Sequence, residues 1–186
     1  EGDPIETLQQ QETDLTEKIE ELQKTIEDTE SEISQYQTKI DTVKRTLLTK
    51  NYDVTDLEDK VQQLRDAEFD LENFEEDQKK QKRIVNDKQK KIEHLETHQY
   101  DPSCKYCVSN VFVQDAIQAK SEIDEDRKIL KQTESNIESK NDEIKELTVY
   151  EKQLDEYNQS NDNIDSYNNK IEILELRLEI FENDLQ

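Results

Sequence analysis

From Ile5 to Gln186 the chain contains no glycine and a single proline, Pro102. Glycine supplies positive φ at tight turns and proline interrupts helices. A globular domain of this length needs several times more of both to separate its elements. Two options remain: a disordered polymer or very long helices. Hydrophobic residues make up 30% of the chain and charged residues 39%, too little apolar surface for a thick core and enough only for a narrow seam.

The spacing of the apolar residues decides between them. From Ile5 to Leu64 they recur in alternating steps of three and four. One series holds Ile5, Ile19, Ile26, Ile33, Ile40, Leu47, Val54 and Val61, and the other Leu8, Leu15, Leu22, Tyr36, Val43, Leu57 and Leu64. The polar exceptions are Glu12, Thr29 and Lys50. Disorder keeps no such period, so the chain is expected to be all-α and coiled-coil forming. After Leu64 the register slips by three to Ala67 and runs through Leu71, Phe74, Val85, Ile92 and Leu95. It resumes at Phe112, Ala116, Ala119 and Ile123, slips by three again from Leu147 to Tyr150, and continues through Ile164, Ile171 and Leu178 to Leu185. Such slips overwind a coiled coil locally. Polar residues on the seam (Lys50, Gln78, Gln81, Lys88, Asp126, Thr133 and Lys140) are expected to fix its register.

Folding the chain back near its middle, with partner numbers summing to about 211, aligns three features. The two slips face each other. The weak helix former stretch 49–56 faces the asparagine-rich run 158–169. The basic run Arg83 to Lys91 faces Glu122, Asp124, Glu125 and Asp126. The expected fold is a long antiparallel coiled-coil hairpin with a C-x-x-C hook at its apex. Its parts are an ascending helix over 5–98, a hook turn over 99–110 and a descending helix over 111–186. A bend or local unwinding is expected where 49–56 meets 158–169, and roughly the first 20 residues are left without a partner.

The formal net charge of −23 argues against binding nucleic acid or an anionic membrane, since phosphate recognition needs clustered Lys and Arg. No apolar run is long enough to span a bilayer, and the start does not read as a signal peptide. With no methionine and an apolar pattern still running at Leu185, the sequence reads as a piece from the middle of a longer intracellular protein, nuclear or cytoplasmic. No phosphate-cradling loop, nucleophile with base or paired carboxylates in a pocket can be assembled. The segment is not expected to be an enzyme.

All the loop chemistry collects in YDPSCKYCVSN, residues 100–110, which holds both cysteines. Asp101-Pro102 favours an extended, turn-starting backbone. Two thiolates at the spacing of Cys104 and Cys107 can share one tetrahedral zinc, with sulfur about 2.3 Å from the metal. Three arrangements complete or replace this half-site. A second copy of the chain supplies two more thiolates, giving one Zn2+ per two chains and a homodimer through the hook. His94 and His98, the only histidines, close an intrachain clip instead. Or the pair holds no metal and cycles between dithiol and disulfide. Around the cysteines, Tyr106, Val108 and Val111, with Tyr100, Phe112 and Val113, form either a face for the second hook or the closure of the hairpin end. Phe112 is assigned to the seam.

A long coiled-coil hairpin with a C-x-x-C apex resembles the zinc hook of the Rad-fifty/SbcC family of DNA double-strand-break repair ATPases. The specific match rests on Cys104 and Cys107, and the architecture matches along the whole chain. In that family the usual motif has proline directly after the first cysteine. Here Lys105 stands in that position and the proline is Pro102, a departure compatible with a divergent viral or phage member. The resemblance implies that two hooks join through one zinc. It also implies that the parent is an ATPase acting with a nuclease subunit on DNA ends in recombination and repair.

Overall fold

The structure is a computed structural model that describes residues 3–97 and 101–186. The chain is all-α, in the order α1 (Pro4–Lys50), α2 (Val54–Thr97), α3 (Lys105–Val108) and α4 (Val111–Leu185), with no strand among the described residues. Among these residues no helix is long and apolar enough to cross a membrane.

Asp3 opens α1: its carboxylate accepts from the Ile5 amide at 3.0 Å, and Pro4 occupies the first turn, where its missing N–H costs nothing. The helix ends at Asn51, which takes up φ 49° and ψ 50°, and its amide donates to the Leu47 carbonyl at 3.0 Å. Asparagine tolerates this left-handed conformation better than most residues with a Cβ. The ascending helix expected over 5–98 is therefore two helices, parted at 51–53 within the 49–56 stretch. The asparagine-rich run 158–169 behaves differently and stays helical within α4. Tyr157, Ile164 and Tyr167 are half-buried there, and the burial of these seam residues outweighs the poor propensity around them.

The chain forms two compact units, Glu1–Val54 with Gln153–Gln186, and Thr55–Lys152. In the first, Ile33, Ile40, Ile171 and Leu174 are buried together, with Tyr36, Ile164, Tyr167 and Leu178 packed against them. The Tyr36 and Tyr167 rings lie 5.8 Å apart, and the Lys39 ammonium sits 5.1 Å from the Tyr36 centroid. Lys50 and Tyr52, on either side of Asn51, both donate to Glu156, the tyrosine hydroxyl at 2.9 Å. Along α1, burial begins at Leu22; Ile5, Leu8, Leu15 and Ile19 before it are exposed.

In the second unit the tightest packing falls at the expected slip, where Leu64 is 0% and Ala67 1% exposed. Ile92 packs with Ala119 and Ile123. Polar seam residues reach across between α2 and α4. Lys88 bonds Glu122 and Asp126, Gln81 donates to the Asp126 carbonyl at 2.9 Å, and Lys140 pairs with Asp70 at 3.4 Å. From Arg65 to Lys91 on α2, the ion-pair partners on α4 step down from Glu151 to Asp115. The seam assignment of Phe112 needs correcting, because this residue is 85% exposed and Val113 is the half-buried one. Phe112 lies in the first turn of α4, at the very end of the packed seam, where the apolar period no longer dictates burial.

Candidate metal centre

Asp101 begins the turn that carries the cysteines. Its carboxylate accepts from the Ser103 hydroxyl at 2.6 Å and the Ser103 amide at 2.9 Å. Those bonds, the hydroxyl first, hold the Asp101 carboxyl below the usual range. The Asp101 carbonyl accepts from the Cys104 amide at 3.0 Å, closing the turn over Pro102. Cys104 keeps an extended backbone, φ −80° and ψ 118°, and the chain then makes a single helical turn, α3, ending at Ser109. Asn110 starts α4, its carboxamide oxygen accepting from the Phe112 amide at 2.8 Å. Gln114 reaches back from α4 to donate to the Val108 carbonyl at 3.2 Å, tying the helical turn to the helix that follows.

The short helical turn brings the two thiols together. Both cysteines are free and half-buried. Cys104 makes no formed cap hydrogen bond with its side chain. Its sulfur is nonetheless favoured as thiolate, first by the Cys107 amide, then by the Cys107 thiol and the Tyr106 amide, which hold its pKa below the ordinary thiol value. Two adjacent sulfurs, one more easily deprotonated than an ordinary thiol, suit a borderline-soft cation such as zinc. Among the described residues no group of three or more His, Cys, Asp or Glu gathers as a metal cluster.

His94 stands in the last turn of α2, and His98 lies outside the described residues, as does Tyr100. Beside the cysteines, Tyr106 is 86%, Phe112 85% and Val111 74% exposed, while Val108 is less so. The Asp101–Ser103 and Asn110–Phe112 bonds frame the cysteine turn, and sequence reading assigned them no role. Their signal is the placing of a short polar side chain two residues before the amide it caps.

No protein-family model, curated protein or solved structure matches this chain.

Proposed function

We propose that the chain is a long antiparallel coiled-coil hairpin whose apex is a zinc-dependent homodimerisation hook, tethering two molecules of a DNA-repair ATPase of the Rad-fifty/SbcC kind tip to tip. The observation that carries this reading is the placement of Cys104 beside Cys107 in the short segment between α2 and α4. The descending order of α4 partners along α2 is what an antiparallel hairpin requires.

Each chain contributes two sulfurs, and a closed structural zinc site takes four ligands. Zinc, when bound, supplies the bonds that hold the sulfurs of two chains in one tetrahedral shell. The Asp101–Ser103 turn and the Gln114 bond hold the pair at a fixed place at the end of the helices. Tyr106, Val111 and Phe112 offer apolar surface beside the sulfurs, where a second copy would approach. No catalytic role is assigned to the segment; its part is mechanical connection of an ATPase that works with a nuclease on DNA.

The test is native mass and zinc content, with and without chelator, at about 0.5 M salt, where other charge-based contacts are screened. The hook gives half a zinc per chain and a dimer that chelator converts to helical monomer. Cys104→Ser and Cys107→Ser each give metal-free monomers of unchanged helix content. One zinc per chain in a monomer would instead establish the intrachain clip with His94 and His98, and zero zinc a thiol–disulfide pair. Tight dimerisation of the double serine variant in chelator at this salt would overturn the hook.

A further inference from the structure

The basic run on α2 has a charge pattern that the α2–α4 packing does not use. Residues 79–91 hold seven basic side chains and one acidic, while the preceding stretch 66–77 holds seven acidic side chains and no basic one. Only Lys88 and Lys91 of the basic run pair with α4, through Glu122, Asp126 and Asp115. Lys79, Lys80, Lys82, Arg83 and Lys90 are exposed, with no carboxylate in ion-pair range among the described residues. The half-buried seam positions are Phe74, Gln78, Gln81, Val85 and Lys88, so Lys79, Lys80, Arg83 and Lys90 stand on the outer side of the helix. Asp66, Glu72 and Glu76 share that exposed side in the acidic stretch.

The two blocks are arranged symmetrically about Gln78. Asp66 and Lys90 lie equally far on either side of it, as do Glu76 and Lys80, and Glu72 and Arg83 nearly so. We propose that the outer face of α2 from Asp66 to Lys90 is an interaction surface for the same face of a second copy, laid alongside in the opposite direction with its two-fold axis at Gln78. Asp66, Glu76 and Asp77 then meet Lys90, Lys80 and Lys79 of the other copy, Glu72 comes within one residue of Arg83, and every contact occurs twice, the condition for a closed two-fold interface. The face also carries an apolar anchor. Phe69 is 64% exposed within the acidic block. In this register it falls opposite Asp87 of the second copy, about one turn from both Arg83 and Lys90, whose cations a ring attracts.

The net charge of −23 on each chain sets the conditions. At about 0.1 M salt the screening length is about 10 Å, so neighbouring opposite charges outweigh the distant like charges; at about 0.01 M it is about 30 Å, and whole-chain repulsion is felt. The association is strongest near physiological salt and weakens on both sides. A nucleic acid backbone fits less well, because a polyanion running along α2 past Lys79 meets the seven carboxylates of the acidic block.

This surface is independent of the hook and is tested without it, in the Cys104→Ser, Cys107→Ser variant with chelator. Sedimentation at about 0.1 M salt, up to roughly 0.1 mM chain, reads a concentration-dependent dimer. Lys79→Glu, Lys80→Glu and Arg83→Glu together weaken it at least about tenfold, as do Asp66→Lys, Glu72→Lys and Glu76→Lys together. An equal mixture of the two variants recovers the dimer, since opposite reversals again face each other. Phe69→Ala weakens it with helix content unchanged. A chain that stays monomeric over this range overturns the proposal, as does a dimer indifferent to both reversals. Binding of duplex DNA that the lysine reversals abolish, with no self-association, assigns the face to nucleic acid and also overturns it.

Discussion

Lys88 of α2 and Asp126 of α4 form a hydrogen-bonded ion pair on the seam between the two helices. Glu122, one turn away, accepts from the same ammonium at 2.8 Å. The pairing raises the Lys88 pKa, with the Asp126 bond the largest cause, and the Lys88 bond lowers that of Glu122. A depressed carboxyl contributes stability above its unfolded pKa and loses it as pH falls through the lower folded value. A raised lysine contributes below its unfolded pKa and loses it as pH rises through the higher folded value. The Lys88→Ala variant should therefore melt at a lower temperature than the parent at neutral pH, the gap closing as pH falls below the ordinary carboxylate range and again as it rises above the ordinary lysine range. Thermal melts across pH check this, and a gap that persists at pH 2 would contradict it.

Asn51 holds the left-handed turn that ends α1. Replacing it by alanine introduces a residue that tolerates this conformation poorly, and the expected loss is about 1 kcal/mol. Asn51→Gly should be neutral or slightly stabilising by the same argument. Denaturant unfolding of the pair is the measurement; an equal effect of both would show that the turn relaxes.

Leu64 is fully buried, whereas Leu48 is 78% exposed. Leu64→Ala is expected to cost about 2–5 kcal/mol through lost burial and the cavity left behind. Leu48→Ala, the same chemical change on the surface, should stay within about 0.5 kcal/mol. Equal costs in chemical denaturation would mean that Leu64 is not a packing centre.

The histidines are expected to be bystanders of the cysteine pair. His94→Ala with His98→Ala should leave zinc content and native mass at high salt unchanged, since two thiolates from each of two chains already fill a tetrahedral shell. Metal analysis of the purified double variant decides it. Loss of zinc there would move the site into a single chain.

Much of the helical seam was legible because burial follows a simple period. Ile33, Ile40, Leu64, Ile92 and Ile171 were all placed on it by spacing, and all are buried. The polar seam residues Gln81 and Lys88 do reach across to α4, and Lys140 of α4 reaches back to Asp70 on α2. Propensity was a poorer guide. It located the break at Asn51 but equally suggested unwinding at 158–169, where the packing of Tyr157, Ile164 and Tyr167 prevails. Phe112 was misplaced because a period states which face a residue occupies, not how far along the helix burial extends. The cysteine pair was visible as a spacing. The helical turn of α3, which sets Cys107 against Cys104, was not, since four residues carry no period.

The buried clusters also differ in how much chain lies between their members. Ile92 packs with Ala119, closing a loop roughly one fifth as long as the one closed when Ile40 packs with Ile171, which makes the first closure cheaper by about 1.4 kcal/mol in chain entropy. Folding should accordingly begin beside the cysteines and proceed away from them, each packed turn shortening the loop that the next must close. Mutations at Ile92 and Ala119 would then slow folding, and mutations at Ile40 and Ile171 would mainly hasten unfolding. In this order the segment carrying Cys104 and Cys107 has its flanking helices in place before the rest of the chain has found its partners.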